Sequence, residues 1–173
     1  TVNNHVGIGY GAGSEGSYAL SGGVLAPKWI NVGNSGHGVF TQTGGDLVTH
    51  EKSEGIHVGY NDGGIGLFDI SSGTVSTYGM VLGRGTSGVF RQSGGSVTIL
   101  GGGSSSWLRI DANGTFELID GEFAAPSCHL YGGQFTQTGG TCGSIQEPMG
   151  ASFSYGNVAL AGGQSYSGTM WVG

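Results

Sequence analysis

The chain has 173 residues, of which 40 are glycine and three proline, and its glycines follow no three-residue period, which excludes collagen. Charged residues make up only 9%, too few for a charge-driven disordered chain, and a net charge of −6 with five Lys and Arg leaves no basic patch for nucleic acid or an anionic membrane. No apolar run is long enough to form a transmembrane segment.

Residues 1–10 (TVNNHVGIGY), with Val2, His5 and Val6, read as a short strand ending in an apolar residue and glycine. A longer motif follows: glycine or a small residue, any residue, an aromatic, two residues, Ser or Thr, then a glycine pair. Its first copy places Tyr18 and Leu20 before Gly22 and Gly23, with Leu25 two positions on. Residues 30–33 are a second short strand preceded by Trp29, and the motif returns with Phe40, Gln42, Gly44, Gly45 and Leu47. Residues 50–55 are an insertion predicted as a loop. Within it His50, Glu51 and Glu54, with His57 just beyond, have HExxE spacing but no helical face to converge on zinc, so they are read as solvated loop residues.

Residues 56–59 repeat the short strand. Residues 61–69 resemble a calcium-binding nonapeptide, but Leu67 stands where an aspartate is needed, which leaves Asp62 in a polar loop. Phe68, Ile70, Gly73 and Val75 form the third motif copy, residues 80–83 the next short strand, and Phe90, Gln92, Gly95 and Val97 the fourth copy. Glycines 11, 13 and 16, and again 83, 85 and 88, match GxGxxG, yet no helix follows to hold a pyrophosphate. A second predicted loop, residues 101–106, leads into Trp107 and the strand 108–111. Asn113 opens an NxT sequon, a candidate glycosylation site. The remaining copies hold Phe116, Leu118 and Phe123; Phe135, Gln137 and Cys142; then Val158, Leu160 and Ser165. Short strands at 130–132 and 170–173 accompany them, the last with Met170, Trp171 and Val172.

The second member of the glycine pair recurs seven times at steps of 19 to 28 residues, with a mean of about 23. A repeat this short cannot bury its own apolar face and must stack on its neighbours. Alternation within the motif puts Tyr18, Phe40, Phe68, Phe90, Phe116, Phe135 and Val158 inward as a core ladder, with Ala19, Thr41, Asp69, Arg91, Glu117, Thr136 and Ala159 outward. Glycine corners join the strands. The expected architecture is all-β: one domain over residues 1–173, a right-handed parallel β-helix of about seven turns with essentially no α-helix. Gln42, Gln92 and Gln137 share a slot otherwise held by Leu or Ile. They are either buried and hydrogen-bonded to backbone or neighbouring amides, or placed at a wet corner.

Residues 8–25 (IGYGAGSEGSYALSGGVL), 30–43 (INVGNSGHGVFTQT) and 81–97 (VLGRGTSGVFRQSGGSV) resemble the Gly-rich repeats of large exported bacterial surface proteins, of the autotransporter-passenger and PEP-CTERM-associated type. The resemblance implies a β-solenoid at the surface of, or outside, a bacterial cell, with roles in surface layers, adhesion or fibres. It supplies no catalytic residues, metal or cofactor.

The acids Asp111, Glu117, Asp120 and Glu122, and next Asp46, Glu51 and Glu54, are the best carboxylate groups for glycoside or lyase chemistry. The five Lys and Arg are spread over different turns, so no enzyme is expected. The pairs Thr41 with Thr43 and Thr136 with Thr138 are too interrupted by charge for a flat ice-binding face. Cys128 and Cys142 are the only cysteines and a candidate disulfide. The expected function is structural: a fibre, sheath or surface-layer subunit that assembles head to tail with itself. The ends would carry that contact, Val2, His5 and Val6 on one side and Met170, Trp171 and Val172 on the other. The alternative is a carbohydrate-binding adhesin module or a piece of a larger exported passenger, with surface glycans as partners and Trp29, Trp107 and Trp171 stacking on sugar rings.

Overall fold

The computed structural model describes residues 4–53, 55–102, 106–143, 152–153, 155–162, 164–165 and 171–172. Strands alternate short and long along the chain: β1 (Val6–Ile8), β2 (Glu15–Leu25), β3 (Ile30–Val32), β4 (His37–Val48), β5 (Ile56–Val58), β6 (Ile65–Thr77), β7 (Met80–Leu82), β8 (Ser87–Ile99), β9 (Leu108–Asp111) and β10 (Gly114–Ala124). They are followed by β11 (Cys128–Gln137), β12 (Thr141–Gly143), β13 (Ser152–Phe153), β14 (Tyr155–Leu160), β15 (Gln164–Ser165) and β16 (Trp171–Val172). No helix occurs among the described residues, so none there is long and apolar enough to cross a membrane.

Every strand pairing is parallel, and each strand pairs with its equivalent one turn away. The short strands stack in the order β1-β3-β5-β7-β9-β11 and the long ones in the order β2-β4-β6-β8-β10-β11. This is a parallel β-solenoid, with about five turns instead of seven. Six short strands in the ladder enclose five complete circuits. Counting the aromatic slot overstates them, because seven aligned slots count rungs and not closed circuits.

Each long strand bends at its glycine pair, where the register shifts, and so serves two faces. On one face Tyr18, Phe40, Phe68, Phe90, Phe116, Phe135 and Val158 stand opposite one another rung by rung. Beyond the bend Leu25, Leu47, Val75, Val97, Phe123, Cys142 and Ser165 form a second aligned series. The short strands supply the third wall with pairs such as Ile30 and Val32, Ile56 and Val58, and Leu108 and Ile110, all fully buried. The core is therefore three columns of side chains meeting along the axis.

The aromatic column is continuous. Ring centroids from Tyr18 through Phe135 are spaced 5.6, 4.5, 4.8, 5.1 and 5.1 Å, all stacked. Phe40, Phe68, Phe90 and Phe116 have no exposed surface, and each stabilises the fold by up to about 3 kcal/mol through transfer from water alone.

Glycine is required at the corners for two reasons. Gly59 has φ of 64°, and a Cβ there would collide with the Ser87 carbonyl of the next turn. Gly95 has φ of 73°, and its Cβ would lie 2.6 Å from the Gly73 oxygen of the turn before. Positive φ and close approach of stacked backbones together leave no room for another residue.

The glutamines are fully buried, so the buried, hydrogen-bonded reading of that slot holds and the wet-corner reading does not. Gln42 Nε2 donates to Gly45 O in its own turn and to Thr74 O in the next, each at 3.0 Å. Gln92 Nε2 does the same to Gly95 O at 3.2 Å and Glu122 O at 3.0 Å, and Gln137 Nε2 donates to Gly140 O at 3.2 Å. The partners are backbone carbonyls and not neighbouring amides, because Gln alternates with Leu20, Ile70 and Leu118 along the column.

Candidate functional site

Two regions concentrate exposed features: the open edge of the first turn, and the outer side of the short-strand face. At the first, among the described residues, β1 pairs with β3 alone and β2 with β4 alone. Tyr18 is 38% exposed where the equivalent Phe40 is buried. His5 stacks on Trp29 with ring centroids 5.1 Å apart and planes 8° from parallel. Val6 packs partly buried against the core. Val2 of this end lies outside the described residues, as do Met170 and the side chains of Val158, Trp171 and Val172 at the other end. The backbone of β16 pairs with β13, a short strand that sequence reading missed because Ser152 and Phe153 do not end in an apolar residue and glycine.

On the short-strand face, the outward side chains of β9 and β11 form a block. Arg109 stands opposite His129, and Asp111 opposite Tyr131. Arg109 Nε donates to both Asp111 oxygens at 3.0 Å and Nη2 to Oδ1 at 2.8 Å, a side-on lock between residues two apart on one strand. The guanidinium also lies 4.7 Å from the Tyr131 ring centroid. Trp107 meets His129 edge-on at 5.9 Å, and His129 Nε2 lies 3.1 Å from Ser127 Oγ. Burial, with Arg109 beside it, lowers the His129 pKa from its ordinary value and favours the neutral ring. Two turns earlier on the same face, His57 Nδ1 lies 2.6 Å from Asn31 Oδ1, the His57 ring stacks on Tyr60 at 4.1 Å, and Arg84 Nη1 donates to Tyr60 OH at 2.7 Å.

The carboxylates weighed for catalysis are not brought together. Asp111 is on the short-strand face, and Glu117 is on the outside of the aromatic face, 2.8 Å from Arg91. Asp120 accepts from Gly121 N at a corner, and Glu122 is exposed beyond it. Asp46 accepts from Thr74 Oγ1 on the outside of the face beyond the glycine bend. His50 is exposed and Glu51 half-buried in their loop while His57 is buried in β5, and Glu54 lies outside the described residues. Among the described residues no three His, Cys, Asp or Glu could hold a metal ion. Asp62 is exposed in its loop. Asn113 Nδ2, the atom a glycan would modify, donates to Gly85 O at 2.6 Å across turns. Cys128 and Cys142 are free thiols, the first buried and the second half-buried; burial raises both, Cys142 to about 11.

The Arg109, Asp111, His129 and Tyr131 block was not legible as a unit, since it depends on which residues of two turns share a register. Comparison with family models, with curated proteins and with solved structures returns no match.

Proposed function

We propose that this chain is a non-enzymatic structural protein, the subunit of a fibre, sheath or surface layer outside a bacterial cell, which stacks end to end with further copies. The observation that carries the reading is the repeated parallel rung: among the described residues β1 and β2 hold the same register and slots as the turns behind them, and the Tyr18 ring, 38% exposed, stacks on Phe40. An unpaired strand edge presents alternating N–H and C=O groups that template another parallel strand. Here the aromatic and aliphatic slots behind that edge are already aligned for one more rung. A head-to-tail contact of this kind is heterologous and grows into an open filament when its rotation does not close. The outer location rests on the likeness of the repeats to exported surface proteins. The scattering of the carboxylates over different faces supports a non-catalytic role.

Electron microscopy and sedimentation over a concentration series test the proposal. Rods several particles long, lost in Tyr18→Glu while circular dichroism stays unchanged, are the expected result. A dispersed monomer at every concentration would overturn it.

A further inference from the structure

The outer side of the aromatic face has one backbone pattern but an uneven character. The outward positions of β6 are Ile65, Leu67 and Asp69, and the parallel register sets Val39 and Thr41 beside the last two on β4, and Val89 and Arg91 beside them on β8. Val39 and Ile65 are 39% and 37% exposed, and Leu67 and Val89 are half-buried. The apolar stripe stops there. Ser17 stands before Val39 in its column, and Thr115 and then Gln134 stand after Val89. Isolated apolar side chains on a surface are ordinary, but four adjoining ones rimmed by polar groups have the make-up of a contact. Alongside runs a column of alternating charge, Asp69, Arg91 and Glu117. Arg91 Nε donates to Glu117 Oε2, and a guanidinium has further N–H donors for a second carboxylate.

We propose that this face is an interface with a second copy of the chain, packed sheet to sheet with the two rods side by side and antiparallel. The charge column selects the arrangement. A two-fold axis along the strands, between β6 and β8, sets Asp69 against Arg91 of the second copy and Leu67 against its Val89, and every contact occurs twice because such an interface is isologous. Other placements fail. An axis on β6 opposes Asp69 to itself, and one on β8 opposes Arg91 to itself. Between β4 and β6 it sets Arg91 on Ala19, and between β8 and β10 it sets Leu67 on Gln134. An axis along the rod sets Asp69 on Ile65, which leaves a carboxylate covered by an aliphatic side chain. The position between β6 and β8 alone matches both the stripe and the charges.

This contact uses the side of the rod and does not rest on end-to-end stacking, so it is tested in the Tyr18→Glu variant as well as in the parent chain. Sedimentation equilibrium over a concentration series should give a monomer and dimer in exchange for Tyr18→Glu. Adding Asp69→Arg should weaken the dimer about tenfold or more, and Arg91→Asp likewise. The two together exchange the charges and should restore much of the affinity. Leu67→Gln should weaken the dimer with circular dichroism unchanged, while Glu122→Arg, exposed on the face beyond the glycine bend, should leave it as it is. A monomer at every concentration, a dimer indifferent to both Leu67→Gln and Asp69→Arg, or a charge exchange no better than either single substitution would overturn the interface.

Discussion

The first turn and the fourth carry the same motif on the same backbone, yet their equivalent residues sit in different surroundings. Phe90 lies between Phe68 and Phe116 with nothing exposed, whereas Tyr18 has only Phe40 and is 38% exposed. Gly95 and Gly23 have nearly equal φ, 73° and 74°, but a Cβ on Gly95 meets the Gly73 oxygen while one on Gly23 meets nothing within 4 Å. The difference teaches that in a solenoid the slot in the motif fixes which way a side chain points, and the turns on either side fix what it is worth.

Substitutions at matched slots can break that comparison. The largest effect is expected from Phe90→Ala, a cost of about 3 to 5 kcal/mol by chemical denaturation. Tyr18→Ala should cost about 1 to 2 kcal/mol, and equal losses would show that the first turn is as enclosed as the fourth.

Next comes Gly95→Ala against Gly23→Ala. Both carry the left-handed penalty of about 1 to 2 kcal/mol, and Gly95→Ala adds about 1 to 3 kcal/mol for displacing the backbone beneath it. A difference between the two variants within measurement error would mean that stacked turns separate easily at the corner.

The rung formed by β11 and β12 sharpens the contrast through its thiols. Because burial raises both, the folded chain holds protons that the unfolded chain releases, so their contribution to stability is present below about pH 9 and is lost as pH rises toward about 11. A thermal melt series should show this decline, and reductant at pH 7 should leave the melt unchanged, since neither thiol is bridged. A reductant-sensitive melt would establish a Cys128 to Cys142 bond instead.

The smallest effect is expected from Arg91→Ala. Its ion pair with Glu117 is 42% and 33% exposed at the two side chains, and its loss should cost less than about 1 kcal/mol. A cost like that of Phe90→Ala would reverse the faces of β8.

The inward and outward sets of the long strands were legible because a period of two leaves one choice of face, and the Phe residues settle it. Glycine corners were legible because no other residue recurs there. The fate of the glutamines was not: Gln42 points inward by position, but only the neighbouring turn shows that Thr74 O lies within reach of its amide. His57, read from the sequence with His50 and the glutamates as a solvated loop residue, is instead buried in β5, with the Tyr60 ring of the adjoining corner stacked on it. What sequence reading misses here is contact across turns between slots that do not match.

Because each strand pairs only with its equivalents one turn above and below, the rod has no centre that all parts share. Every turn adds the same kind of interface, so cooperativity passes from neighbour to neighbour. Unfolding should then proceed as fraying, with amide hydrogen exchange fastest along β1 and β2 and slowing toward β6 and β8. A second copy seated on the open edge would slow exchange at the first turn before it altered anything in the fourth.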